Sequence, residues 1–384
     1  MPGTWIATGQ RVLRELMRTP ARGEQPLEAH RDAALRWLCR AQDVNPDGGV
    51  AASYHLKDGW LPSYPETTGY IARTFFDHAC VNGDEALRSR AWRMIDWLLE
   101  RQFHDGGFPG QFGDRSAGPI VFNTGQILFG LVRAAQDDPQ RGDVQHAARN
   151  AAGWLIAKQG PDGCWRRNTH AGVAHAYNSR TAWALLCFAD QFGAEEARQA
   201  ALRNLGWVRS RQRDSGWIED AGFWEYAPPY LHTIAYAVRG LLECGLHLND
   251  PAMIEAAERP AAQLLNRFQV REQLAGAYHT DWREAGSYRC LTGELQTAII
   301  WMRLHQHTAR GAYLAAAQRL LRQVAKTQHL DGPDEICGAI AGSYPLWGAY
   351  SRFEYPNWAA KFLVDAVDLY EALTRGDVGA KGGG

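Results

Sequence analysis

Trp97-Leu98-Leu99-Glu100-Arg101-Gln102-Phe103-His104-Asp105-Gly106-Gly107-Phe108 carries the end of an amphipathic helix into a glycine turn, and Asn123-Thr124-Gly125-Gln126 then opens an apolar run. The same plan occurs in five other parts of the chain. Its glutamine recurs as Gln42, Gln102, Gln159, Gln212, Gln269 and Gln328, at intervals of about 53 to 60 residues. A fixed period of this size marks repeated supersecondary units and outranks any single motif as evidence of architecture.

Working outward, each copy holds two helical patterns. The first set covers 27–42, 86–102, 144–159, 194–212, 252–269 and 312–328, with one apolar and one charged face, as on Ala33, Ala34, Trp37, Leu38 and Ala41 against Arg31, Arg36 and Arg40. The second set covers 67–80, 124–135, 179–192, 233–244, 292–305 and 357–373 and is apolar around most of its circumference, which places it inside. Thr68, Thr124, Ser179, Thr233, Thr292 and Asn357 stand in register near the starts of this inner set and are residue types that cap helix N-termini. Short turns join inner to outer helices, and long connections join outer to inner. Twelve alternating helices of this kind predict an all-α (α/α)6 toroid over 27–375, with an open solenoid as the competing closure. A packing helix and linker over 1–26 precede it, and a tail over 376–384, ending Lys381-Gly382-Gly383-Gly384, offers little to pack.

Composition narrows the function. Charge balances to −1, without the basic excess that tracking nucleic-acid phosphates requires. Seven scattered cysteines, an odd number without a Cys-x-x-Cys pair, predict reduced thiols. Arg11, Arg14, Glu15 and Arg18 interrupt any apolar leader, and no later stretch predicts a membrane span, so a cytoplasmic location is expected.

Gln102 to Gly107, with its degraded forms Gln159-Gly-Pro-Asp-Gly-Cys-Trp165 and Gln212-Arg-Asp-Ser-Gly-Trp217, resembles the repeats of the squalene–hopene cyclase and protein prenyltransferase β-subunit superfamily. This resemblance covers most of the chain and is specific for fold. Tyr64-Pro-Glu-Thr-Thr-Gly-Tyr70, Gly342-Ser-Tyr-Pro345 and Tyr355-Pro-Asn-Trp358 resemble toroid proteins of bacterial exopolysaccharide biosynthesis clusters more closely. The Asp-x-Asp-Asp acid of alkene-protonating cyclases is absent, which disfavours terpene cyclisation. Asp281 and Cys290 stand nine apart, unlike the nearly adjacent zinc ligands of prenyltransferases. Neither a metal nor another cofactor is expected.

Six long connections converging on one rim make that rim the expected functional face, with six helix N-termini suited to an anionic group. The turn aspartates Asp47, Asp105, Asp162 and Asp331 recur in nearly every copy and are assigned to the turn itself. Residues that break the repeat carry more information. Glu66, His232 and Tyr344 are the candidate proton-transfer residues. Tyr64, Asn123, Asn178, Arg180, Tyr230, Trp347, Arg352, Tyr355 and Asn357 are candidates for substrate binding, because mixed aromatic and polar side chains suit the two faces of a sugar. Each also has a structural reading, as a helix-start residue or as packing within a lid. The expected function is a glycan-acting enzyme of the lyase, hydrolase or uronate epimerase type, taking an acidic or neutral oligosaccharide or polysaccharide. A non-catalytic glycan- or protein-binding toroid and an isoprenoid-processing enzyme are the alternatives, the latter requiring a deep apolar cavity within the inner ring.

Overall fold

The computed structural model describes residues 25–375 apart from 111, 113–115 and 117, together with position 9. The expected N-terminal helix and C-terminal tail lie outside the described residues. The first set of helices forms α1 (Leu27–Asp43), α3 (Glu85–Leu99), α5 (Gly142–Lys158), α7 (Glu195–Ser210), α9 (Pro251–Arg271) and α11 (Gly311–Ala325). The second forms α2 (Pro65–Asn82), α4 (Val121–Asp137), α6 (Ser179–Phe192), α8 (Leu231–Leu248), α10 (Leu291–Thr308) and α12 (Asn357–Arg375). Each inner helix packs on the next, and α12 returns to pack on α2, while α1 packs against α12 across the two ends of the chain. The array is therefore a closed (α/α)6 toroid, and the open solenoid is excluded.

The recurring glutamine explains the period. Gln42 Nε2 donates to the carbonyl of its own turn, Gly48, and to Arg90 in the next outer helix, both at 3.0 Å. Gln102 does the same with Gly106 and Ala147, Gln159 with Gly163 and Ala200, and Gln212 with Gly216 and Ala256. Gln328 reaches Gly338 at 2.7 Å and His30 of α1 at 3.1 Å, so one clip also seals the ring. At position 106, where φ is 100°, no residue but glycine fits, because a Cβ would lie 2.3 Å from the Asn150 carbonyl. The copy ending at Gln269 departs, because α9 runs on to Arg271 and leaves that glutamine exposed.

The turn aspartates hold the turns, as Asp105 accepts from Gly107 N at 3.2 Å and Trp154 Nε1 at 2.9 Å. Trp37, Trp97 and Trp154 are buried in the core, while Trp207 is only partly so. The register residues of the inner helices correct one expectation. Except at α6 and α12, the helices begin one to three residues earlier, the N-cap residues being Tyr64, Ile120, Tyr230 and Cys290. Thr68 and Thr124 sit in the first turn, where each hydroxyl accepts from a turn N–H, of Val50 at 3.1 Å and of Phe108 at 3.0 Å. They tie the connection to the helix rather than cap it.

The long connections also carry short strands that two- or three-residue runs cannot announce by alternation. β1 (Ser53–His55) pairs antiparallel with β2 (Gly59–Trp60) on one side and β5 (Glu354–Pro356) on the other. The Tyr54–Tyr355 register joins the first connection to the last. β3 (Arg289–Cys290) pairs with β4 (Ser343–Tyr344). No described helix is long and apolar enough to cross a membrane.

Candidate functional site

The inner-helix starts and the long connections enclose a bowl of ≈ 460 Å³ at one end of the toroid. Its wall is aromatic: Tyr64, Tyr70, Phe122, Tyr177, Tyr236 and Tyr350 contribute from five different parts of the chain. Among its described lining residues Glu66 is the one carboxyl, and none is a lysine or arginine. A concave, mainly apolar cavity of this size with a few convergent polar groups is what a small-molecule site looks like.

Glu66 stands in the first turn of α2, immediately after Pro65. A helix N-terminus favours a carboxylate, but the side chain is 91% removed from solvent, and burial dominates. The carboxyl is pushed up to about 7, although a hydrogen bond from Tyr64 and the charge of Arg180 pull the other way. The Tyr64 hydroxyl donates to Glu66 Oε2 at 2.7 Å and accepts from Asn123 Nδ2 at 3.5 Å, so an Asn–Tyr chain fixes the carboxyl. A group with that pKa exchanges protons near neutrality.

His232 opens α8, which is three places from α2 in the six-membered inner ring, so the two side chains enter the bowl from opposite sides. Burial first, then Arg180, pushes the imidazole down to about 3, and it is neutral. Gln296 Nε2 donates to its Nδ1 at 2.7 Å and to the Thr292 carbonyl at 3.4 Å. The second contact fixes the amide orientation, which makes Nδ1 an acceptor and places the imidazole hydrogen on Nε2. The ring packs on Tyr236 at 4.2 Å and Tyr350 at 5.2 Å.

Of the residues expected from the sequence, Tyr64, Glu66, Asn123, Tyr230 and His232 line this bowl. The remainder do not. Tyr344 is half exposed, with the Arg289 guanidinium 5.8 Å from its ring centroid, and Trp347 and Arg352 are exposed on the last connection. Tyr355 is buried in β5. Asn178 accepts from Thr181, and Asn357 donates to the Ala51 carbonyl and to Thr67, each at about 3 Å, which makes both local ties.

Arg180 is wholly buried rather than aimed into the depression. Its Nε donates to Gln126 Oε1 at 2.9 Å, and its guanidinium lies 4.7 Å from the Tyr236 ring centroid. Arg180, Arg239 and Lys361, with Asp365 and Glu243, fill the inner ring with buried charge. Among the described residues, buried charge stands within the inner ring where isoprenoid processing would require a deep apolar cavity, which disfavours that alternative.

Tyr70 and Tyr236 were reachable from the sequence. They follow Glu66 and His232 by four residues, and positions i and i+4 share a helix face. The register position of Glu66 likewise holds Phe122 and Tyr177 in the next two copies. His170, Phe223 and Trp224 had no such signal, because they come from irregular loops. His175 ties those loops together, its Nδ1 at 2.9 Å from the Gly222 carbonyl and its Nε2 at 2.8 Å from that of His170.

Residues 65–241 match the model of the squalene–hopene cyclase C-terminal domain, under half of the chain. No curated protein matches. Among solved structures, an unsaturated glucuronyl hydrolase from Bacillus sp. GL1 is similar at 17% identity, with 91% of this chain and 97% of that one covered and a TM-score of 0.71. A D-mannose isomerase is similar at 11% identity, covering 93% and 100%, with a TM-score of 0.68. The cellobiose 2-epimerase of Bacillus thermoamylovorans B4167 is similar at 13% identity, covering 89% and 98%, with a TM-score of 0.71. These likenesses establish the toroid.

Proposed function

We propose that the protein is a saccharide-acting enzyme whose chemical step is a proton transfer, with Glu66 as the acid–base group and His232 as a hydrogen-bond donor across the bowl. The observation that carries this reading is a single buried carboxyl, poised at about 7, set in a bowl of aromatic rings. Aromatic faces cover the apolar side of a pyranose, and the toroids it resembles include a glucuronyl hydrolase, a mannose isomerase and a cellobiose epimerase.

Glycoside hydrolysis of the common kind needs two carboxyl groups flanking the bond. Only Glu66 is present among the described lining residues. Epimerisation, isomerisation or elimination fits better, since each begins by removing a proton from carbon beside a carbonyl or carboxyl group. The Glu66 carboxylate takes that proton, the C–H electron pair moves toward the carbonyl oxygen, and the Nε2 hydrogen of His232 is available to the developing charge. Return of the proton to the neighbouring carbon gives the isomer, return after the planar intermediate turns its other face to Glu66 gives the epimer, and in an elimination the electron pair instead expels the β-substituent, which leaves with the proton. A role in bacterial exopolysaccharide biosynthesis rests on the resemblance of the Tyr64 and Tyr355 segments alone.

Incubation with a panel of reducing sugars, neutral and acidic oligosaccharides and prenyl diphosphates, read by chromatography and mass spectrometry, tests this. Conversion of a saccharide is expected, lost in His232→Ala while the melting temperature changes little. Saturable binding of a saccharide without any product instead supports a non-catalytic toroid, and turnover of a prenyl diphosphate refutes the reading.

A further inference from the structure

Beside the bowl lies a second concavity of ≈ 530 Å³, and the two share a wall. Trp224 lines both, at the tip of the 219–230 loop, and is half exposed. Its outward neighbour Tyr226 is 92% exposed. Trp224 and Tyr226 together present two exposed aromatic rings on one wall of this groove, beside the bowl. Trp217 and Tyr278 sit beneath, buried and packed edge-on against Trp282, and Pro228 and Pro229 stiffen the far end of the loop.

Charge selects the occupant. Arg166, the one arginine lining this groove among the described residues, is paired with Asp162 at 2.6 Å. Glu219 is paired with Arg213, and Asp220 with Arg211 at 2.8 Å. Glu225 adds an exposed carboxyl. The groove thus offers acceptors and aromatic faces and no uncommitted guanidinium to receive a uronate, sulfate or phosphate. The described lining of the bowl likewise holds no lysine or arginine.

We propose that the groove is a second saccharide subsite, holding the neutral remainder of an oligosaccharide whose reacting unit lies in the bowl, with the chain passing over Trp224 onto Tyr226. This rests on the saccharide reading of the bowl and goes further, to a substrate longer than one sugar and uncharged. The position of the loop is set by His175, whose ring lies between the Gly222 and His170 carbonyls, with one N–H to donate, and stacks on Tyr177 at 4.5 Å, so the subsite and the bowl wall meet at one side chain.

Calorimetric titration of the Glu66→Gln variant with β-linked glucose and mannose oligomers of one to five units tests the assignment without turnover. Affinity is expected to rise about tenfold or more as units beyond the second are added. Tyr226→Ala removes that rise and Tyr226→Phe keeps it, and the exposure of Tyr226 makes either change harmless to folding. A flat series in which short sugars still bind, or a rise untouched by Tyr226→Ala, overturns the subsite and leaves the bowl reading standing. Tighter binding of an oligouronate series overturns the neutral assignment. Absence of binding at every length removes the bowl reading and the subsite together, a result distinct from a flat series.

Discussion

The glycine turns that end the outer helices and the bowl walled by the long connections are built on opposite principles. At the turns, five copies repeat one device, a glutamine amide clipping its own loop and the next helix. At the bowl, corresponding positions diverge: Glu66, Phe122 and Tyr177 occupy equivalent places at the starts of three successive inner helices. Repetition holds the ring together, and divergence gives its interior an asymmetric surface. Substitutions in the two regions should therefore fail in different measurements.

The largest effect is expected at the bowl. Replacing the acid–base group by Glu66→Gln should lower turnover of the saccharide found by screening by about 10² to 10⁴-fold. Folding should be retained, as read by thermal melting.

The same variant should sharpen the contrast in stability. The folded-state pKa of Glu66 is raised from 4.5 to about 7, so its contribution is fully present below pH 4.5 and is lost as pH climbs through 7. Relative to Glu66→Gln, the parent protein should lose up to about 3 kcal/mol across that window. Denaturant titrations at pH 4.5 and 8 check the sign.

At the turns, Gln328→Ala deletes the clip that closes the ring and should cost about 1–3 kcal/mol, since three buried hydrogen bonds are lost. Activity per folded molecule should be kept. Gln269→Ala, at the copy whose glutamine is exposed, should stay within about 0.5 kcal/mol. Equal costs at the two positions would show that the clip is not what the period encodes.

That contrast also marks how far the sequence could be read. The helices were legible because burial against a ring imposes a 3.6-residue pattern, and the closed toroid because the period had six copies. Glu66 and His232 were legible because they depart from a register that the other copies define. Arg180 was misplaced, since a charged residue in the first turn of an inner helix looks the same in sequence whether it lines a bowl or lies beneath one. Tyr344, Trp347 and Arg352 were grouped by their nearness in the chain, whereas strand pairing and loop packing carry them outside the bowl. The loop that supplies Phe223, Trp224 and Tyr226 has no period at all, and only packing sets its position.

Proton exchange between Glu66 and a carbon of a bound sugar is the step on which the proposed chemistry depends. Proton NMR of the converted saccharide incubated in D₂O with wild-type protein and with Glu66→Gln reads this directly. Loss of one carbon-bound proton signal with the wild type, and its persistence with the variant, is the predicted result. Deuterium entry at the same rate in both, or conversion without any exchange, would contradict it.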